Sequence, residues 1–150
     1  MNKIQSFQVD HTVLEPGIYV SRTDGDVTTY DLRTRKPNAG DYMDHATMHS
    51  LEHMFATYVR NSKMADDVLY FGPMGCQTGF YLLVRNAENE AVLEVVTNTL
   101  DLIAKHEGAM FGQSEIECGN YKNLDVELAR TEANNYYEVL TNKVNDFVYA

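Results

Sequence analysis

The chain has 150 residues, 44% of them hydrophobic and 11% aromatic, which suits one domain over residues 1–150 with a single core. A formal charge of -10 argues against nucleic acid or an anionic membrane surface as partner, since both need a basic footprint. No run approaches the roughly 18 apolar residues of a membrane helix, and the opening MNKIQSFQVDH lacks the apolar stretch of a secretion signal, so the expected location is the cytoplasm.

Taken in order, Ser6 to Val9 and Ile18 to Arg22 read as short strands separated by a turn at Glu15-Pro16-Gly17. Thr23 to Asp26 is a second turn, and Val27 to Arg35 alternates as a third strand, so an antiparallel meander is the simplest arrangement. Pro37 to Asp41 breaks that strand, and a helix starts between Asp44 and Thr47 and fades near Asn61-Ser62. Val68 to Phe71 reads as a buried strand stopped by Gly72-Pro73-Met74-Gly75, and Phe80 to Val84 as another. Cys76 falls on the glycine-flanked turn between them, where a side chain usually faces a cleft. Glu88 to Lys105 has helical periodicity, Gly108 to Gly112 is a loop, Cys118-Gly119-Asn120 a turn, and Leu124 to about Leu140 a last helix. The expected class is α+β: a mainly antiparallel sheet with about three helices packed on it and a metal site on the first long helix.

That first helix contains His49-Ser50-Leu51-Glu52-His53. Histidines four apart lie about 40° from each other around the axis and can hold one metal ion between two ring nitrogens. Glu52 sits on their flank, in the inverted order of the zincin pattern, as a candidate general base. Met48, Leu51, Phe55, Tyr58 and Val59 cluster on the neighbouring face and anchor the helix in a core. An ordinary amphipathic helix with two partly exposed histidines would carry the same pentapeptide. His45 would lie roughly 12 Å along the axis from His53, too far to join the pair, and reads as a solvated residue of the first turn.

A catalytic site of this kind takes a third protein ligand and keeps one position open. Cys118, Cys76 and carboxylates of the last helix such as Glu127 are candidates, and a thiolate would favour a borderline transition metal, zinc first. The two cysteines fit no zinc-ribbon spacing, and in a reducing compartment they suit metal binding or catalysis better than a disulfide.

Five stretches together carry a resemblance: Ser6-Phe7-Gln8-Val9-Asp10-His11-Thr12; Tyr30-Asp31-Leu32-Arg33 with Pro37-Asn38; His49 to His53; Gly72-Pro73-Met74-Gly75-Cys76-Gln77-Thr78-Gly79-Phe80-Tyr81; and Glu117-Cys118-Gly119-Asn120-Tyr121. In order and spacing they resemble the S-ribosylhomocysteine lyase (LuxS) family, over nearly the whole chain and weakening after about Asp125. The resemblance implies that His49, His53 and Cys118 bind one divalent metal per subunit, Fe(II) with Zn(II) or Co(II) as substitutes. It implies that Cys76 and Glu52 transfer protons. It further implies a homodimer with the site at the subunit interface, where Ser6, His11 and Arg33 hold the substrate's amino-acid end and reach in from the other subunit. A Cys76→Ala chain mixed with an Arg33→Ala chain would then regain activity. Tyr70, Phe71 and Gly72 replace an acidic residue and a Ser common in the family, so an aromatic wall is expected where that acid would stand.

The implied reaction cleaves S-ribosylhomocysteine to homocysteine and 4,5-dihydroxy-2,3-pentanedione, the autoinducer-2 precursor, by carbonyl migration and β-elimination. A thiolate at Cys76 calls for a nearby cation or metal. Two other classes compete. A small inverted-zincin metallohydrolase would use Glu52 on a water and Glu127 as third ligand, leaving both cysteines without work. In a non-catalytic metal-binding protein Cys76 would be structural.

Overall fold

The computed structural model describes residues 1–150 and has the expected α+β class. Strands β1 (Gly17–Asp24), β2 (Val27–Arg33), β3 (Val68–Pro73) and β4 (Gly79–Arg85) form one antiparallel sheet in the order β1-β2-β4-β3. Helices α1 (His45–Val59), α2 (Asn89–Ala104) and α3 (Val126–Thr141) pack on one another, with α1 also against β3 and α3 against β1. No helix is long and apolar enough to cross a membrane.

Two expectations fail at the N-terminal end. Ser6 to Val9 is not a strand: Gln5–Phe7 form a 3-10 turn, closed by Phe7 N–H to the Ile4 carbonyl at 3.1 Å and Gln8 N–H to that of Gln5 at 3.0 Å. Four residues with no buried apolar face gain nothing from joining an edge, so local bonds win. The sheet is therefore two hairpins joined along β2 and β4, not an N-terminal meander. β2 also stops two residues early, because the amides of Thr34 and Arg35 both leave the ladder and donate to the Thr78 carbonyl at 3.0 Å.

The helix start at Asp44–His45 falls where expected. Asp44 caps α1 by accepting from the Thr47 amide at 2.8 Å, satisfying one of the orphan donors of the first turn. Leu51, Met54, Phe55 and Val59 of α1 then bury against Tyr30, Leu32, Phe80 and Leu82 of the sheet's inner face. Phe71 belongs to that core. It stacks on Phe55 and Phe80 with ring centroids 4.2 and 4.9 Å apart, so it walls no cleft.

Alternation puts the sheet's other face to different use. Tyr19, Asp31 and Tyr81 are opposite one another across β1, β2 and β4, and the next row is Gly17, Arg33 and Gly79. A Cβ at Gly79 would stand 2.7 Å from the Leu32 carbonyl oxygen and 3.3 Å from the Arg33 Cα, so only glycine leaves this lane open beside Arg33.

Candidate active site

One turn of α1 and one distant loop bring together three side chains that could hold a metal ion. Ligand atoms of His49, His53 and Cys118 all lie within 4.8 Å of one another, and Cys118 Sγ is 3.4 Å from His49 Nε2. Glu127, the alternative third ligand, is exposed and paired with Arg130 at 3.0 Å, so the hydrolase ligand set does not form. Cys76 is not part of the group either. Glu52 lies half-buried on the same helix, next to His53. His45 is exposed, as expected for a residue of the first turn.

The outward nitrogens of both histidines are already engaged. His49 Nδ1 donates to Asn123 Oδ1 at 2.6 Å, and Asn123 Nδ2 donates in turn to His45 Nδ1 at 2.6 Å. His53 Nδ1 donates to the Phe111 carbonyl at 3.0 Å. With the proton held at Nδ1, the Nε2 lone pairs are free as ligands, which is the usual support of a metal-binding imidazole. Two imidazoles and a cysteine sulfur converging on one point fit a divalent transition ion with a further position for substrate.

Gly112 makes room for this arrangement. Its φ is +70°, and a Cβ there would stand 2.8 Å from His53 Nδ1, so both backbone and clearance require glycine. Gly112→Ala should weaken metal affinity about tenfold or more, the usual loss when the support of a ligand is disturbed. A competition titration with a chelator checks it, and unchanged affinity would show that His53 does not depend on this loop.

A second set gathers on the polar side of the sheet. Ser6, Phe7, His11, Arg33, Pro73, Met74, Gly75, Cys76 and Tyr81 line a cleft of about 480 Å³. Cys76 is exposed to it, as its turn position suggested, with Sγ 3.0 Å from Thr78 Oγ1 and 3.8 Å from Arg33 Nη1. His11 turns Nδ1 inward to the Val9 carbonyl at 2.9 Å, leaving Nε2 for a ligand. Tyr70 is exposed but does not line this cleft, and its hydroxyl lies over Gly72 instead.

Arg33 differs from the sequence reading. Its planar fork is taken inside the chain: Nε and Nη2 donate to Asp31 at 3.1 and 2.6 Å, and Nη1 donates to Thr78 Oγ1 at 2.8 Å. Burial works against its charge, but Asp31 outweighs that and raises the guanidinium above its ordinary range. The carboxylate it grips in two places is therefore Asp31's.

None of His49, Glu52, His53 or Cys118 lines this cleft. Within one chain the sequence-derived residues thus fall into two groups, the metal trio with Glu52 on one side and Ser6, His11, Arg33 and Cys76 on the other. Asn123, the Phe111 carbonyl, Gly112, Asp31 and Thr78 were not legible as site residues. The contacts of Asn123, Phe111 and Gly112 to the histidines, and of Thr78 to Arg33, are set by the tertiary fold.

Both groups lie within one family match. The S-ribosylhomocysteinase (LuxS) family model matches residues 4–146, which contain all eight of these residues. The chain belongs to the S-ribosylhomocysteinase family. An S-ribosylhomocysteine lyase of Finegoldia magna is 43% identical over 155 aligned positions, covering 99% of each chain. Those of Desulfotalea psychrophila and Clostridium beijerinckii are 44% and 42% identical, covering 95% and 91% of this chain and 94% and 89% of their own. Membership in the S-ribosylhomocysteinase family gives the His49, His53 and Cys118 group a metal-dependent chemistry to serve, and disfavours both the hydrolase and the non-catalytic readings.

Proposed function

We propose that this lyase converts S-ribosylhomocysteine to homocysteine and 4,5-dihydroxy-2,3-pentanedione, the autoinducer-2 precursor, as one catalytic domain over residues 1–150. It works in the cytoplasm as a homodimer. The observation that carries the reading is the convergence of His49, His53 and Cys118 in a chain of this family. When bound to that trio, one divalent ion per subunit, Fe(II) in the working enzyme with Zn(II) or Co(II) as substitutes, supplies Lewis-acid polarisation of the sugar's carbonyl and hydroxyl groups.

The chain's own groups move the protons. Cys76, as a thiolate, takes the proton from C2 of the open sugar and returns it to C1, then repeats the shift from C3 to C2, so the carbonyl travels from C1 to C3. Glu52 shuttles the matching hydroxyl protons. With the carbonyl at C3 the homocysteine sulfur on C5 is in the β position. Loss of the C4 proton expels it as a thiolate, and Glu52 assists this step. Ser6 and the free Nε2 of His11 hold the amino-acid end, while Arg33 presents one amine from the floor of the cleft.

Each site draws on two subunits, the cleft of one facing the metal trio of the other. This accounts for a cleft that carries the thiol but none of the ligands, and the exposed Phe7 in its lining suits a covered face. The division differs from the one the sequence suggested, because Cys76 goes with Arg33 and not with the metal. A Cys76→Ala chain mixed with a Cys118→Ala chain should therefore recover about a quarter of full activity, as about half the dimers are mixed and each has one intact site. The Cys76→Ala and Arg33→Ala pair should recover nothing, since both lesions fall in the same half. Equal recovery by both pairs would overturn this division.

The direct test of the activity is release of free thiol from S-ribosylhomocysteine by protein loaded anaerobically with Fe(II). Metal-loaded, folded protein that releases none is not this lyase.

A further inference from the structure

The last four residues, 147–150, lie beyond the stretch that the family model matches, yet Tyr149 reaches the buried Asp31 that pairs with the cleft residue Arg33. The Phe147 carbonyl accepts from the Val20 amide at 2.8 Å, and Phe147 pairs with Tyr19 in an isolated parallel bridge on the free edge of β1. Phe147 is buried with φ at +66°, a conformation a bulky residue adopts only when its surroundings impose it. Two residues on, Tyr149 stacks on Tyr19 with centroids 5.0 Å apart and planes 16° from parallel. Its hydroxyl donates to Asp31 Oδ2 at 2.7 Å.

A relay runs from there to the thiol. Asp31 Oδ2 accepts from both Tyr149 and Arg33 Nη2, Oδ1 accepts from Arg33 Nε, and the remaining Arg33 amine points to Thr78 and Cys76. The Asp31 and Arg33 side chains are only 2% and 3% exposed, so no solvent compensates for a lost partner. We propose that Tyr149 is a positioning residue: through Asp31 it holds Arg33 beside Cys76 and so sets the reactivity of that thiol. The proposal rests on the reading of Cys76 as the acting base.

Two effects of the hydroxyl act in the same direction. It fixes the carboxylate that orients the guanidinium, and by sharing that carboxylate's charge it leaves more of Arg33's charge to face the sulfur. Burial, with the negative charge of Asp31, pushes the Tyr149 phenol well above its ordinary range, so it remains a donor. Tyr19 is a built-in control, because its hydroxyl donates to the Glu15 carbonyl at 2.8 Å and not to Asp31.

The test compares Tyr149→Phe with Tyr19→Phe in the metal-loaded enzyme. Both keep the stacked rings and remove one hydroxyl. The readout is the rate of Cys76 alkylation by iodoacetamide at fixed neutral pH, assigned by peptide mass to separate it from Cys118. This rate does not depend on which substrate the enzyme cleaves, so its failure is distinct from failure of the lyase reading. Tyr149→Phe should slow alkylation about threefold or more, as expected for a thiolate less favoured by its cation, while Tyr19→Phe leaves it unchanged. In thiol release, Tyr149→Phe should lower kcat more than it changes KM. Unchanged alkylation in Tyr149→Phe, or equal slowing in both variants, would overturn the proposal. Should Tyr149→Phe not fold, a chain ending at Val148, which loses the same hydroxyl but keeps the Phe147 bridge to Tyr19, serves as the second variant, and normal Cys76 alkylation in it would overturn the relay equally.

Discussion

Replacing Cys118 with Ala is expected to remove most of the bound metal and with it nearly all turnover, while Cys76→Ala keeps its metal. The contrast follows from position. Cys118 Sγ lies 3.4 Å from His49 Nε2 inside the group that could hold a metal, whereas Cys76 lines a cleft in which none of the three residues of that group appears. Two imidazoles alone leave the ion one protein ligand short of the usual catalytic count of three. Their Nδ1 protons are already fixed on Asn123 and Phe111, so the ring orientations should persist without the thiol and give a weak residual site. Metal analysis of both variants after equal dialysis checks this, and equal retention would remove Cys118 from the ligand set.

Cys76→Ser and Glu52→Gln should each bind metal normally and lose about 10² to 10⁴-fold in turnover, the usual contribution of a general base. A serine hydroxyl in place of the thiol keeps the hydrogen bond to Thr78 but is a far weaker base near neutral pH. Glutamine keeps the size and polarity of Glu52 on α1 and cannot accept the proton. Solvent deuterium entering the pentanedione at carbons beside the migrating carbonyl would report the exchange of the base with water. Near-normal thiol release by metal-replete Cys76→Ser would sink the role given to the thiol.

The helix and its histidine pair were legible in the sequence, because an i, i+4 spacing puts two side chains on one face wherever the helix is placed. So were the strand pairs β1 with β2 and β3 with β4, whose turns are short and local. The family motifs named Cys118 and Cys76, though no spacing linked either to α1. What joins them emerges only in the folded chain. Asn123 and Phe111 meet the two histidines from 74 and 58 positions away, and such contacts leave no periodic trace in the chain. The strand expected at Ser6 to Val9 failed for a related reason. Whether four alternating residues pair depends on an available edge and a face to bury, and the edge of β1 is met instead by Phe147. Arg33 shows the limit most clearly. Its residue type announced a carboxylate partner, but only the sheet register, with glycines on both sides and Asp31 two residues back on the same face, decided that the partner is internal.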